Sequence, residues 1–116
     1  MRSLLIGFFL FVLVAMAGVT VAASLERGVL DALAALWPDA WFRATLADAY
    51  FGFLTVWVWV AYREREWIPR LAWLAAFLAL GNLAMACYAL LALRALPTGA
   101  PPWQALLRAE HRPASP

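Results

Sequence analysis

The chain has 116 residues, 66% of them hydrophobic and 14% charged, so its apolar surface exceeds what one small soluble core can hide. The net charge of +2 comes from arginine alone, because there is no lysine. The arginines sit at the ends of apolar runs and form no basic stripe elsewhere, which excludes a nucleic-acid surface and makes a bilayer the expected solvent.

The first run, "SLLIGFFLFVLVAMAGVTVAAS", follows Arg2 and is long enough for a membrane span over about 3–24. Leu4 to Val14 followed by Ala15-Met16-Ala17 resembles a signal peptide with its cleavage pattern. The apolar character outlasts that pattern to Ala23, which favours a retained span. From Ser24, "SLERGVLDALAAL" predicts a short interfacial helix over about 25–36, with Ser24 as N-cap and Glu26 in the first turn. Leu25, Val29, Leu33 and Leu36 share its apolar face. Pro38 then interrupts, and Trp37, Trp41 and Phe42 supply an aromatic belt.

A second span is expected over about 44–62 and a third over about 71–93. The connection "REREWIPR" is short enough to make them a helical hairpin. Pro97, Gly99, Pro101 and Pro102 forbid continued helix, so residues 97–116 are expected as a largely disordered tail with one amphipathic turn at Trp103 to Arg108. The expected fold class is an all-α integral membrane protein, with a three-helix membrane domain over 1–96 and no soluble domain. Three spans place the N-terminus and "REREWIPR" on one side and the tail on the other. Weighting the basic start and the arginine-dense connection puts the N-terminus in the cytoplasm of a bacterial inner membrane, with the C-terminus outside.

Asp48 is a carboxylate inside the second span, which marks a functional hypothesis in hydrocarbon. It shares a helix face with Thr45, Gly52, Thr55, Trp59 and Tyr62, while Ala75, Ala79, Asn82, Ala86 and Ala89 make a small-residue stripe on the third span. Counting from the hairpin turn sets Gly52 opposite Gly81 or Asn82. It also sets Asp48 opposite Met85, with Tyr88 a turn further and Thr20 of the first span at the same depth. The candidate site is thus a polar cluster of Asp48, Asn82, Tyr88 and Thr20. The bland alternative is that Asp48, about 7 Å inside its span, only complements the helix start. Cys87 and His111 each stand alone, so no intramolecular disulfide, metal site, haem or other cofactor is expected.

The order "AWFRATLADAYFGFLTVWVWVAYRERE", a short loop and "GNLAMACYALLAL" resembles domain-of-unknown-function family 1475, small membrane proteins of bacteria and plants. The resemblance covers residues 24–96, with "TLADAYFGF" and "GNLAMACYALL" as its most specific pieces. It implies a membrane fold and no catalytic residue. The leading expectation is a non-enzymatic accessory or interaction subunit whose partners are membrane lipids and other transmembrane helices. The alternatives are a binder or carrier of a lipid-like molecule through the cluster around Asp48, and a lipid-modifying enzyme, for which no second catalytic group is visible.

Overall fold

The computed structural model describes residues 1–112, and within them the chain is helical. The elements are α1 Arg2–Glu26, α2 Val29–Leu36, α3 Ala40–Arg63, α4 Trp67–Leu80 and α5 Asn82–Arg94, followed by short 3₁₀ turns at Pro102–Leu106 and Ala109–His111. α1 and α3 are long and apolar enough to cross a membrane. The expected third span is not one helix. Its apolar run divides at Gly81, where φ is 56° and ψ is −123°.

Gly81 reverses the chain. Its N–H closes α4 on the Phe77 carbonyl at 2.8 Å, and its own carbonyl opens α5 by accepting from Met85 at 3.1 Å. The two helices fold back on one another, so that Trp73 and Tyr88, on either side of the turn, bring their rings to 4.8 Å. Phe77, Ala84, Tyr88 and Val60 of α3 form a buried core there. A positive φ of this kind belongs to glycine because a Cβ is disfavoured in that region. Space is short as well: a Cβ on Gly81 would lie 2.7 Å from Cζ of Phe53. The tip of the hairpin therefore rests against the middle of α3, where the Tyr50 hydroxyl donates to the Leu78 carbonyl at 3.1 Å and satisfies one acceptor left open at the end of α4. α4 rises only about 21 Å by helix geometry, roughly two-thirds of a hydrocarbon layer of about 30 Å.

α5 is the centre of the packing. Its buried residues include Ala84, Ala86 and Ala92, small enough for neighbouring backbones to come close. Leu5, Ile6 and Phe9 of α1 pack on Ala92, Leu93 and Leu96, together with Ala105 of the tail. Because α5 stops at Gly81, the second half of α1 finds no cover, and residues 17–26 are all exposed. The first half of α3 is similarly bare, with Gly52 having nothing within 4 Å of a Cβ position.

The reversal also gathers the chain ends. Arg2 donates to the carbonyls of Pro97 and Arg94 at 3.3 and 3.5 Å. The tail folds over the end of α3: Trp59 Nε1 donates to the Leu106 carbonyl at 3.0 Å, Arg108 Nε to the Tyr62 carbonyl at 2.7 Å, and the Tyr62 hydroxyl meets His111 Nδ1 at 2.9 Å. Residues 97–112, expected to be largely disordered, are held by these bonds, while the final residues of the expected disordered tail lie outside the described residues. Glu110 pairs with Arg65 at 3.0 Å and Arg108 at 3.2 Å. The Arg108 hydrogen bond, aided by the Arg65 charge, holds its carboxyl below the usual range. That contact is therefore present at neutral pH and is lost only as pH falls through the lowered value.

At the opposite end, two local boundaries differ from expectation. Ser24 does not cap a new helix, because its hydroxyl donates to the Thr20 carbonyl at 2.8 Å inside α1. α1 runs on to Glu26, and α2 begins at Val29 behind an extended Gly28. Asp39 caps α3 instead, its Oδ1 accepting from the backbone N–H of Trp41 at 2.8 Å and of Phe42 at 3.2 Å, so α3 starts at Ala40, four residues before the expected span.

The reversal yields a direct test. Gly81→Ala should destabilise the protein by about 2 kcal/mol or more, through strain at positive φ and the Phe53 contact. Gly52→Ala, helical and uncrowded, should be neutral or stabilising by up to about 1 kcal/mol. Thermal unfolding in detergent reads both, and a Gly81→Ala protein as stable as wild type would mean a continuous helix through that position.

Candidate functional site

The four residues expected as one polar cluster are not brought together. Asp48, Asn82 and Thr20 are all exposed, and no side-chain hydrogen bond joins them. Asn82 stands at the hairpin tip and Asp48 on the uncovered first half of α3. Tyr88 is buried, 3% exposed, but halfway along α5, about two turns from the hairpin tip. The reversal at Gly81 carries it away from Asp48 and back toward the end of α3. The level of Gly52 against Gly81, counted from the hairpin turn, agrees closely with the Phe53 contact.

The polar site that does form is built around Tyr88. Its hydroxyl donates to Glu64 Oε1 at 2.9 Å and accepts from Arg63 Nη1 at 3.0 Å. The Arg63 guanidinium lies 5.4 Å from the Tyr88 ring centre and 5.6 Å from that of Trp59, within the range where aromatic faces attract a cation. Trp59 and Trp73 both meet Tyr88 edge-on, at 5.3 and 4.8 Å. The set is extended by Arg70, whose Nε donates to the Glu64 carbonyl at 2.8 Å, and by Trp57 Nε1, which donates to the Arg70 carbonyl at 2.8 Å. Three helices and their connection are thereby stapled at one level.

The reason lies in local sequence. Arg63 closes α3 and Glu64 is its extended C-cap, so the pair projects from the helix end toward whatever packs beside it. Trp73 and Tyr88 flank Gly81 at nearly equal spacing, and the hairpin superposes them. A small cavity of about 190 Å³ adjoins the staple, lined by Arg63, Glu64, Trp73, Tyr88, Leu91, Ala92 and Ala95. Arg63 Nε is buried with no hydrogen-bond partner. Chemically the arrangement is a guanidinium and a carboxylate joined through a phenol. Among the described residues no three His, Cys, Asp or Glu side chains could hold a metal.

Sequence reasoning singled out Tyr88 but missed Arg63, Glu64 and Trp73 as its partners. The available signal was the glycine in "LALGNLAMA", which marks a possible break, together with the aromatics spaced on either side of it.

The family described as Protein of unknown function (DUF1475) matches residues 2–113, and the chain belongs to it. The match takes in α1 and the tail, which lie outside the resemblance over 24–96. No curated protein and no solved structure matches the chain.

Removing the Tyr88 hydroxyl should strand both charged partners. Tyr88→Phe is expected to cost about 1.5–3 kcal/mol in detergent unfolding, and Glu64→Gln less, since the amide oxygen still accepts. A double-mutant cycle of Tyr88→Phe with Glu64→Ala, which removes the acceptor, should give a coupling of at least about 0.5 kcal/mol. Strict additivity would show that the bridge contributes nothing.

Proposed function

Family membership supplies no activity, and we propose that this chain is an integral membrane protein that works by contact with partner helices, not by catalysis. The observation that carries the proposal is the uncovered first half of α3. Thr45, Asp48, Gly52 and Thr55 all lie exposed there, on the face that sequence spacing groups together. Thr45 and Thr55 hydroxyls are spent on their own helix, at 2.8 Å to the carbonyls of Trp41 and Phe51. Asp48 has no such partner among the described residues, and a lone carboxylate turned to hydrocarbon is costly. A neighbouring helix with a donor at that depth would relieve the cost, and Gly52 permits its close approach.

In this reading α1 and α3 span the bilayer, while α4 and α5 enter from one side and return. The N-terminus, the connection after α3 and the tail then share that side. Arg2, Arg63, Arg65, Arg70, Arg94, Arg108 and Arg112 lie there, against Arg27 and Arg43 opposite. With a continuous third span the arginines are nearly balanced between the two sides; with the returning hairpin they strongly favour that end as cytoplasmic. The expected external C-terminus thus becomes a cytoplasmic one. A carrier of lipid-like molecules through Asp48, Asn82, Tyr88 and Thr20 receives less support, because Tyr88 is engaged elsewhere.

Two measurements test this. In a Cys87→Ala background, single cysteines at Ser3 and Thr98 should resist a membrane-impermeant maleimide in intact cells while one at Asp31 reacts. External labelling at Thr98 would restore the three-span arrangement. Purification in mild detergent should recover a stoichiometric helical partner or a second copy, and Gly52→Leu should weaken that association at least about tenfold, near 1.4 kcal/mol, without lowering monomer stability. A monomer that carries only lipid would sink the contact reading.

A further inference from the structure

The packed face between α1 and α5 leaves a groove that neither helix fills. It has a volume of about 490 Å³ and is lined by Ile6, Leu10, Cys87, Leu90, Leu91 and Arg94. Five of these are apolar or weakly polar, and the sixth is a cation at the mouth. From Arg94 to Cys87 the groove follows α5 for about 10 Å by helix rise.

Arg94 is exposed, and no carboxylate pairs with it among the described residues; the ion pairs at this end join Glu110 to Arg65 and Arg108. Arg2 is held beside it by hydrogen bonds to the Arg94 and Pro97 carbonyls. The first turn of α1 carries no acidic residue. Glu64 is engaged by Tyr88 and does not line the groove. An apolar slot thus opens beneath two guanidinium groups, with no carboxylate among its lining residues.

We propose that this groove holds one acyl chain of an anionic glycerophospholipid, with the phosphate seated on Arg94 and Arg2. The inference rests on the membrane placement proposed above, which puts the Arg94 end at the level of the headgroups. The slot matches the upper part of a hydrocarbon chain, and the guanidinium pair matches a phosphodiester, for which arginine forms charge-assisted forked hydrogen bonds. With no carboxylate to receive an amine, a zwitterionic headgroup gains less than an anionic one. Arginines near an anionic leaflet favour it electrostatically, and the groove adds a fixed place for the chain to lie.

The test uses the full-length protein in vesicles of phosphatidylcholine containing trace phosphatidylglycerol or phosphatidylcholine with a photoactivatable acyl chain. Crosslinked peptides are mapped by mass spectrometry. Phosphatidylglycerol should label the segments around Leu10 and Leu90 about fivefold more than phosphatidylcholine. Arg94→Gln should remove that preference, Arg94→Lys should keep part of it, and Leu90→Trp should fill the slot and abolish labelling by both lipids. Arg27→Gln at the opposite end should change nothing. Equal labelling by the two lipids, or an unchanged preference in Arg94→Gln, would overturn the proposal while leaving the membrane reading intact. A protein washed from the vesicles by alkaline carbonate would overturn both. If Arg94→Gln fails to fold, the wild-type preference and the Leu90→Trp variant still decide the question.

Discussion

The backbone reversal at Gly81 is the constraint on which the rest of the molecule depends. A chain that turns inside an apolar medium has no water to satisfy the carbonyl and amide groups freed at the two helix ends. Here the turn is one residue long, and three of its hydrogen bonds are supplied from within. Phe77 receives the Gly81 N–H, Gly81 receives Met85, and the Leu78 carbonyl receives the phenol of Tyr50 from the neighbouring helix. The return of α5 follows, and with it the burial of Tyr88 against Arg63 and Glu64, the docking of α1 along α5 and the placement of the tail over the end of α3. Lengthening the turn by even a few residues would leave more polar backbone to satisfy and would shift Tyr88 out of reach of its partners.

The outer elements were legible because the signals for them are strong. α1 and α3 are apolar windows bounded by arginine, and the helices, Arg2–Glu26 and Ala40–Arg63, bracket the expected spans. The depth of Gly52 against Gly81 was also legible, since counting residues outward from a tight connection holds until a helix changes direction. The reversal was not. Hydropathy is continuous from Leu71 to Leu93, and nothing in composition separates a glycine that merely eases helix contact from one that takes a positive φ. Tyr88 shows the cost of that ambiguity: it was recognised as a polar residue of consequence, then assigned to the wrong end of the molecule by the assumption of a single crossing. Ser24 and Asp39 are a smaller case. Both are good capping residues by type, and only the position of the next helix start decides which of them caps.

The polar groups divide along the molecule according to how they are satisfied. At the arginine-rich end they are joined to one another: Glu64 with Tyr88 and Arg63, Glu110 with Arg65 and Arg108, His111 with Tyr62. At the other end they are capped within their own helices or left facing outward, as Asp48 is. The first end is tied by side-chain bonds between elements; the second is left more open.

The hairpin also gives the body an uneven cross-section. Along the hairpin, about 21 Å by helix rise, four helices stand side by side, and beyond Gly81 only α1 and α3 continue. Such a wedge, set in a bilayer, displaces more area in one leaflet than in the other. The lipids around its narrow end must splay or thin to fill the deficit, and the elastic cost falls wherever the sheet already bends toward that side. Curved regions would gather the protein without any binding partner, and the same imbalance would make its surroundings responsive to lateral tension.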